Sequence, residues 1–108
     1  MGPEKIFETK IKEFLSEHGI YHVKYFANRN TKSGIPDILA CVNGYFVAIE
    51  VKAQHGTVKE LQKYHLGKIR ESGGFGYVVY PSGFEQLKRV ILDLLADKFN
   101  RDDEMILK

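Results

Sequence analysis

The sequence predicts one α/β domain with a mixed sheet between helices, in the element order α-β-β-β-α-β-α. Apolar residues recur at helical spacing near both ends of the chain, and two apolar strand-like runs flank Asn43-Gly44 in the middle. A further helical pattern separates the second of these runs from another short apolar run. A helix between two strands makes a crossover, so those two strands should be parallel, whereas a hairpin is antiparallel.

The first half of the chain is predicted to contain a helix, a strand and a polar loop before the hairpin. Apolar residues at helical spacing predict a helix over about residues 4–18, and Gly19 follows as a C-terminal cap. Residues 21–27 are rich in aromatic and β-branched types, which predicts a strand. Residues 28–34 form a polar loop that lacks bulky apolar anchors.

The second half contains two capping-box patterns, which predict where two helices begin. Thr57-x-x-Glu60 predicts a helix that runs to about Ser72 and is closed by Gly73-Gly74. A short buried strand is predicted over residues 76–80, and Ser82-x-x-Glu85 opens the last helix. The domain is predicted over residues 1–100, and residues 101–108 form a polar C-terminal tail, either an appendage or a dimer contact.

Asn43-Gly44 is the strongest short-range signal for a two-residue hairpin turn. If these two residues form the turn, Asp37 lies directly opposite Glu50 on the neighbouring strand. Lys52 points the same way as Glu50, because side chains alternate between the faces of a strand. Directly opposed Cβ atoms are only about 4.5–5.5 Å apart, and like charges at that distance are destabilising. A divalent cation would offset this repulsion.

The same three residues also have a structural interpretation. Asp37 and Glu50 could be partners of Lys52 in a half-buried salt bridge, because ion-pair networks commonly imitate functional sites. Pro36 lacks an amide hydrogen and suits the start of a strand, which is likewise a structural role. The register imposed by the turn and the apolar residues on both faces of the hairpin favour the functional interpretation.

Composition excludes several other classes of protein. The apolar fraction of 44% indicates an ordered globule, and the formal charge of +2 is too small to indicate a nucleic-acid partner by itself. Cys41 is the single cysteine, which excludes an internal disulfide; it is predicted as a small core residue. No apolar run approaches membrane-spanning length, so we expect a soluble, intracellular protein.

Pro36-Asp37 together with Glu50-Val51-Lys52 resembles the two-part motif of the PD-(D/E)XK nuclease superfamily. The small size, the segment Gly34-Ile35-Pro36-Asp37 and Gln62 make the chain most similar to VRR-NUC (virus-type replication-repair nuclease) domains, with the archaeal Holliday-junction resolvases as near relatives. The resemblance covers roughly residues 4–99 and implies a restriction-endonuclease-like α-β-β-β-α-β core plus a C-terminal helix. It also implies a role in DNA repair and a phage or prophage origin. The expected location is therefore the bacterial cytoplasm, or the host-cell cytoplasm if the protein is phage-encoded.

The resemblance implies hydrolysis of phosphodiester bonds that depends on Mg²⁺ or Mn²⁺. The metal ligands that it implies are Glu8, Asp37, Glu50 and the backbone carbonyl of Val51. Glu4, one turn before Glu8, is the alternative on the first helix. Lys52 would orient or deprotonate the attacking water or neutralise phosphate charge, and these roles stay open. Gln62 would contact the nucleophile, Lys52 or a phosphate, unless it is merely an exposed helical amide.

Basic residues near the predicted site suggest that the partner is DNA. Those predicted to bind it are Lys24, Arg29, Lys32, Lys59 and Lys63. No base-reading motif is present, so we expect recognition of DNA shape. The predicted function is a structure-selective endonuclease that cuts branched DNA such as Holliday junctions as a homodimer.

Two other functions remain open at the sequence level. One is a catalytically silent nucleic-acid-binding module of the same fold, and the other is a nuclease for ordinary duplex, flap or single-stranded DNA. The dimer interface is also left open. It could involve the last helix (Phe84, Leu95 and Phe99), the edge of residues 77–80, or residues 105–107.

Overall fold

A five-stranded mixed sheet, flanked by three helices, forms the centre of the computed structural model, which describes residues 1–26 and 30–108. The helices are α1 (Pro3–Glu17), α2 (Glu60–Glu71) and α3 (Phe84–Leu95), and the strands are β1 (Tyr21–Lys24), β2 (Ile38–Val42), β3 (Tyr45–Val51), β4 (Phe75–Val79) and β5 (Ile106–Leu107). The strands lie across the sheet in chain order. The predicted α/β class and order of elements are confirmed, with β5 as an addition.

The turn between β2 and β3 has the conformation that its sequence predicts. Asn43 has a φ of 52° and Gly44 a φ of 85°, and a type I′ hairpin turn needs positive φ at both central residues. The strands pair antiparallel, and Ile38 is the partner of Ile49. The predicted register is therefore confirmed. β3 and β4 pair parallel, as the crossover through α2 requires.

The helices cover the two faces of the sheet unequally. α1 and α3 pack on one face and form the larger core, in which Phe7, Ile11, Leu15, Leu87, Ile91 and Leu94 surround Ile38, Val47, Ile49 and Tyr77. On the other face, Leu66 of α2 packs on Ala48 and Val78. Cys41 lies on β2 and is exposed, so its prediction as a core residue is wrong.

α2 begins later than the predicted capping box. Its first residue is Glu60, and Lys59 before it is extended, with φ −81° and ψ 153°. The side-chain oxygen of Gln62 accepts a hydrogen bond of 2.9 Å from the Lys59 amide. Gln62, rather than the predicted pair Thr57 and Glu60, therefore caps the start of this helix.

α3 also starts without its predicted capping box. A short 3₁₀ turn, Pro81–Gly83, precedes the helix. The hydroxyl of Ser82 accepts a hydrogen bond of 2.9 Å from Gln54, and the Ser82 amide donates to the side-chain oxygen of Gln54 at 3.1 Å. Ser82 therefore anchors the loop that follows β3 instead of capping α3.

The end of the chain extends the sheet instead of forming a separate appendage. β5 pairs parallel with β4, the Val78 amide donates to the carbonyl of Met105 at 2.8 Å, and the Tyr80 amide donates to Leu107 at 3.0 Å. The β4 edge and the apolar end of the tail, both suggested as dimer contacts, therefore contact each other. Among the residues that the structure describes, no helix has the length and apolar character needed to cross a bilayer.

β1 is shorter than the strand predicted over residues 21–27. It ends at Lys24, although the Tyr25 amide still donates to the carbonyl of Asp37 at 2.8 Å. The last residue of the predicted strand, Ala27, lies outside the described residues. Pairing between β1 and β2 brings Lys24 opposite Ile38, at the end of the sheet where Asp37 enters β2.

Candidate active site

The hairpin brings Asp37 to the end of β3. Asp37 directly precedes β2, and the pairing of Ile38 with Ile49, continued by one residue, places it opposite Glu50. A side-chain oxygen of Asp37 (Oδ2) accepts a hydrogen bond of 2.8 Å from the backbone amide of Val51. This bond holds the carboxylate against β3 beside the Glu50 side chain.

Glu50 is a buried carboxylate with one unsatisfied oxygen. Its side chain is 5% exposed, Oε2 accepts a hydrogen bond of 3.1 Å from Gln62, and the same oxygen lies 3.6 Å from the ammonium of Lys52. Across the residues that the structure describes, Oε1 is the one fully buried side-chain nitrogen or oxygen without a hydrogen-bond partner. Leaving such an atom unsatisfied costs about 1–3 kcal/mol, so a proton or a bound cation is expected there.

Burial and neighbouring charges shift the titration of Glu50. Burial has the largest effect and, together with the nearby carboxylate of Asp37, raises the pKa of Glu50 to about 8. Lys52 opposes this rise, and Glu4 on α1 adds to it slightly. A bound divalent cation would lower the pKa of Glu50 again, because its charge favours the ionised carboxylate.

Three lysines surround Glu8 on α1. Its oxygen Oε1 lies 2.7 Å from the ammonium of Lys24, and Oε2 lies 3.3 Å from both Lys5 and Lys12. Burial would by itself raise the pKa of Glu8, but the lysines outweigh it and hold that pKa below its ordinary value. Both oxygens of Glu8 therefore already contact cations.

Lys24 joins Glu8 to Asp37. Its ammonium lies 3.3 Å from Oδ1 of Asp37 as well as 2.7 Å from Glu8, and its side chain is 19% exposed. Burial would lower the pKa of Lys24, but Glu8 and Asp37 together raise it. The sequence predicts Lys24 as a DNA-binding residue, whereas the structure places its ammonium between two carboxylates.

Gln62 links the start of α2 to the site. Its side-chain oxygen accepts from the Lys59 amide, and its side-chain nitrogen donates to Glu50 at 3.1 Å. Of the two interpretations that the sequence leaves open, the simple exposed amide does not describe this side chain. Both ends of the Gln62 amide are used, and one of them orients Glu50.

The remaining predicted basic residues lie on the surface. Lys32, Lys59 and Lys63 are exposed, and Lys63 forms an ion pair of 3.2 Å with Glu60 on the same helix. Arg29 lies outside the described residues. Sequence reasoning missed Lys5 and Lys12, although both stand one turn of helix from Glu8, a spacing that favours contact.

A divalent cation suits the oxygen atoms of this site. Within residues 1–26 and 30–108, no three acidic, histidine or cysteine side chains are grouped closely enough to hold a metal ion. Asp37 and Glu50 supply two carboxylates beside the backbone of Val51, and Mg²⁺ commonly takes one or two carboxylates and keeps several waters. The unsatisfied Oε1 of Glu50 therefore fits an oxygen-liganded ion of this class.

The mixed sheet flanked by three helices fits the restriction-endonuclease-like fold of PD-(D/E)XK-type nucleases. A family model described as archaeal Holliday junction resolvase (Hjc) matches residues 4–73, more than half of the chain. The protein belongs to this resolvase family, whose members are nucleases that act on DNA. A comparison with curated proteins found no match.

Proposed function

We propose that this protein is a metal-dependent, structure-selective endonuclease that hydrolyses phosphodiester bonds in branched DNA such as Holliday junctions. The observation that carries the proposal is the unsatisfied, buried Oε1 of Glu50 beside Asp37, within the segment matched by the resolvase family. An oxygen that the protein leaves without a partner, next to a second carboxylate, is suited to bind Mg²⁺ or Mn²⁺.

The proposed metal ligands are Asp37, Glu50 and the backbone carbonyl of Val51, with a carboxylate from α1 as a further contribution. The bound ion would polarise the scissile phosphate and lower the pKa of a coordinated water. Glu8 is the first choice on α1, and because both of its oxygens contact lysines it would contribute through a water molecule rather than bind the ion directly. Glu4, the alternative, is exposed and close enough to influence Glu50.

Lys52 and Gln62 are the other proposed catalytic residues. Lys52 is buried beside Glu50, so its side-chain nitrogen is placed to orient the attacking water or to neutralise phosphate charge as the ammonium, or to accept a proton from that water as the neutral amine. Gln62 positions Glu50 through its side-chain nitrogen. Such outer contacts commonly decide how well a ligand holds its metal.

DNA is proposed to lie across the exposed lysines on α2 and the preceding loops. Lys32, Lys59 and Lys63 carry positive charge on the surface, and Arg29 is proposed to join them. Phosphate contacts of this kind fix position and depend strongly on salt without reading sequence. Lys24 is left out of this surface because its ammonium already contacts Glu8 and Asp37.

A homodimer is proposed because a four-way junction needs two cuts, whereas the part of the chain that the structure describes forms one such site. Among the suggested contacts, Phe84 packs its ring 5.4 Å from Phe7, and Phe99 packs 5.6 Å from Phe75. Apolar residues exposed on the first three strands include Tyr21, Val23 and Phe46. We propose that these three residues pack against a second copy of the chain in the homodimer. A Phe46→Glu variant with the mass of one chain in solution would support this assignment, and an unchanged dimer would contradict it.

Two finer assignments rest on the sequence. Gly34-Ile35-Pro36-Asp37 and Gln62 support a closer relation to the VRR-NUC domains, and with it a phage or prophage origin. A role in DNA repair or replication in the bacterial or host cytoplasm follows from that relation. Cleavage of a junction intermediate made during phage infection, and its loss when the gene is deleted, would test this role.

A panel of labelled DNA substrates tests the proposed activity. Four-way, flap, duplex and single-stranded DNA are incubated with the protein, with Mg²⁺ or with a chelator. We expect paired cuts in the four-way junction only when Mg²⁺ is present. Equal cleavage of linear duplex or single strands would favour a nuclease for ordinary DNA, and binding without any cleavage would favour the catalytically silent module.

Variants of the three motif residues test the assignment of roles. Asp37→Ala, Glu50→Ala and Lys52→Ala should lose cleavage while still binding the junction. Glu85→Gln is a matched control, because Glu85 forms an exposed surface pair with Lys88 on α3. If the three variants cut as fast as the parent protein, the site is assigned wrongly.

A further inference from the structure

The ammonium of Lys24 lies between two carboxylates, a position that suits a metal ion. Its ammonium contacts Glu8 at 2.7 Å and Asp37 at 3.3 Å, and these residues come from a helix and from the start of a different strand. The Glu8 side chain is 4% exposed, that of Asp37 is 23% exposed and that of Lys24 is 19% exposed. A largely buried charge thus bridges two carboxylates that are far apart in sequence.

The other lysines near these carboxylates do not make this bridge. Lys5 and Lys12 contact the second oxygen of Glu8 from the same helix, at i−3 and i+4, and their side chains are 50% and 31% exposed. Lys52 contacts Glu50. Lys24 is the lysine that reaches both the α1 carboxylate and the carboxylate of the hairpin.

We propose that Lys24 is a positioning residue whose ammonium takes the cation position between Glu8 and Asp37. The protein then holds a single divalent ion, at Asp37 and Glu50. This inference rests on the proposed metal site and adds a claim about how many ions it binds. Glu8, in this arrangement, is the counter-ion of Lys24 and organises the site without touching the metal.

The physical reason is that a lysine ammonium is a compact point charge and excludes a second cation from the same oxygens. With Lys24 present, Asp37 has one oxygen on the ammonium and the other on the Val51 amide, which leaves each oxygen one further lone pair for the ion shared with Glu50. Without the ammonium, Glu8 and Asp37 would form a second pair of facing carboxylates, which is again the arrangement that a divalent ion stabilises.

Titration with Mn²⁺, followed by isothermal calorimetry on the full chain, counts the bound ions. We expect one ion for the parent protein and two for Lys24→Met, which keeps the length of the side chain and removes its charge. Adding Glu8→Gln to Lys24→Met should return the count to one. Lys12→Met is the matched control, because it removes a lysine from the same carboxylate without affecting the bridge, and it should bind one ion.

Glu8→Gln alone keeps the proposal testable if Lys24→Met fails to fold. It should still bind one ion with an affinity within about threefold of the parent. Loss of that ion would show Glu8 to be a ligand and overturn the inference. Two ions in the parent, or one ion in a folded Lys24→Met, would overturn it while leaving the proposed function intact. A parent that binds no Mn²⁺ would overturn the proposed metal site and the inference together.

Discussion

Two groups of partly or fully buried charges in the protein differ in how their polar atoms are satisfied. The first is the acidic site around Asp37 and Glu50. The second joins Arg70, Tyr77 and Asp103. The guanidinium of Arg70 donates to the carbonyl of Gly76 at 2.9 Å and to the carbonyl and carboxylate of Asp103 at 3.0 Å each, and the Tyr77 hydroxyl donates to the other carboxylate oxygen of Asp103.

The Arg70 group ties parts of the chain together and leaves its polar atoms satisfied. It connects α2, β4 and the segment before β5, which are distant in sequence. The acidic site, in contrast, leaves Oε1 of Glu50 buried without a partner. Breaking a fully paired cluster leaves an uncompensated charge and costs stability, whereas a buried atom without a partner in a native fold calls for an explanation such as a bound ion.

The largest expected effect is on catalysis and concerns the acidic site alone. Glu50→Gln keeps the shape of the side chain and removes its charge, so it should lower the rate of junction cleavage by about 10²–10³-fold. Arg70→Met should leave the rate per folded molecule unchanged. Single-turnover cleavage with saturating protein measures both. If both variants lost the same fraction of their cleavage rate, the claim that only the acidic site acts in catalysis would be wrong.

The next largest effect is on stability. Here Glu50→Gln should be favourable, whereas its effect on catalysis is unfavourable. In the metal-free protein Glu50 has a pKa of about 8, against an ordinary value of 4.5. Between these values the folded state keeps a proton that the unfolded chain has released, so stability falls as pH rises through this window. The amide of Glu50→Gln does not titrate in this range, so the variant does not lose stability in this way. In chelator at pH 8 it should be more stable than the parent, by on the order of 3 kcal/mol.

Urea unfolding at pH 5 and pH 8 checks this effect. The advantage of Glu50→Gln should be small at pH 5 and grow towards pH 8. Asp103→Asn is the control. Between pH 5 and pH 8 its free energy of unfolding should change by the same amount as that of the parent. An advantage that does not change with pH would show that Glu50 is not the group responsible.

A smaller effect is expected at the Arg70 group. Arg70→Met removes charge-assisted hydrogen bonds to Asp103 and the bond to Gly76, and should lower the free energy of unfolding by about 2 kcal/mol. Thermal or urea unfolding measures the loss. Lys68→Met on the same helix is the control, since its pair with Glu71 is exposed and should contribute less than about 1 kcal/mol.

The smallest effect is expected at Gln62. Gln62→Ala removes the donor that orients Glu50, so it should weaken Mn²⁺ binding by about tenfold and leave the fold in place. Calorimetric titration measures the affinity. Lys63→Ala, the next residue on the exposed side of α2, is the control and should leave it unchanged. An unaltered affinity in Gln62→Ala would reduce Gln62 to a cap of α2.

The sequence predicts the acidic pair because a local turn sets it. Asn43 and Gly44 tolerate positive φ, the turn type fixes the register, and the register brings Asp37 to Glu50. These steps need only neighbouring residues. The same locality explains why the helix at the start, the parallel pairing of β3 and β4 and the fold class are also predicted.

The features that the sequence does not predict depend on contacts between distant segments. Lys24 reaches Glu8 only because β1 pairs with β2 under α1, which no local pattern specifies. The hydroxyl of Ser82 contacts Gln54 instead of capping a helix, and β5 is a two-residue strand that exists only against β4. In each case tertiary partners replace the local preference.

An anomalous difference map from crystals soaked in Mn²⁺ tests the central claim most directly. A peak should lie between the carboxylates of Asp37 and Glu50, about 2.0–2.2 Å from their oxygens, with Oε1 of Glu50 among the ligands. A map with no peak at these carboxylates, or with the ion bound elsewhere while Oε1 stays unsatisfied, would contradict the proposed metal site.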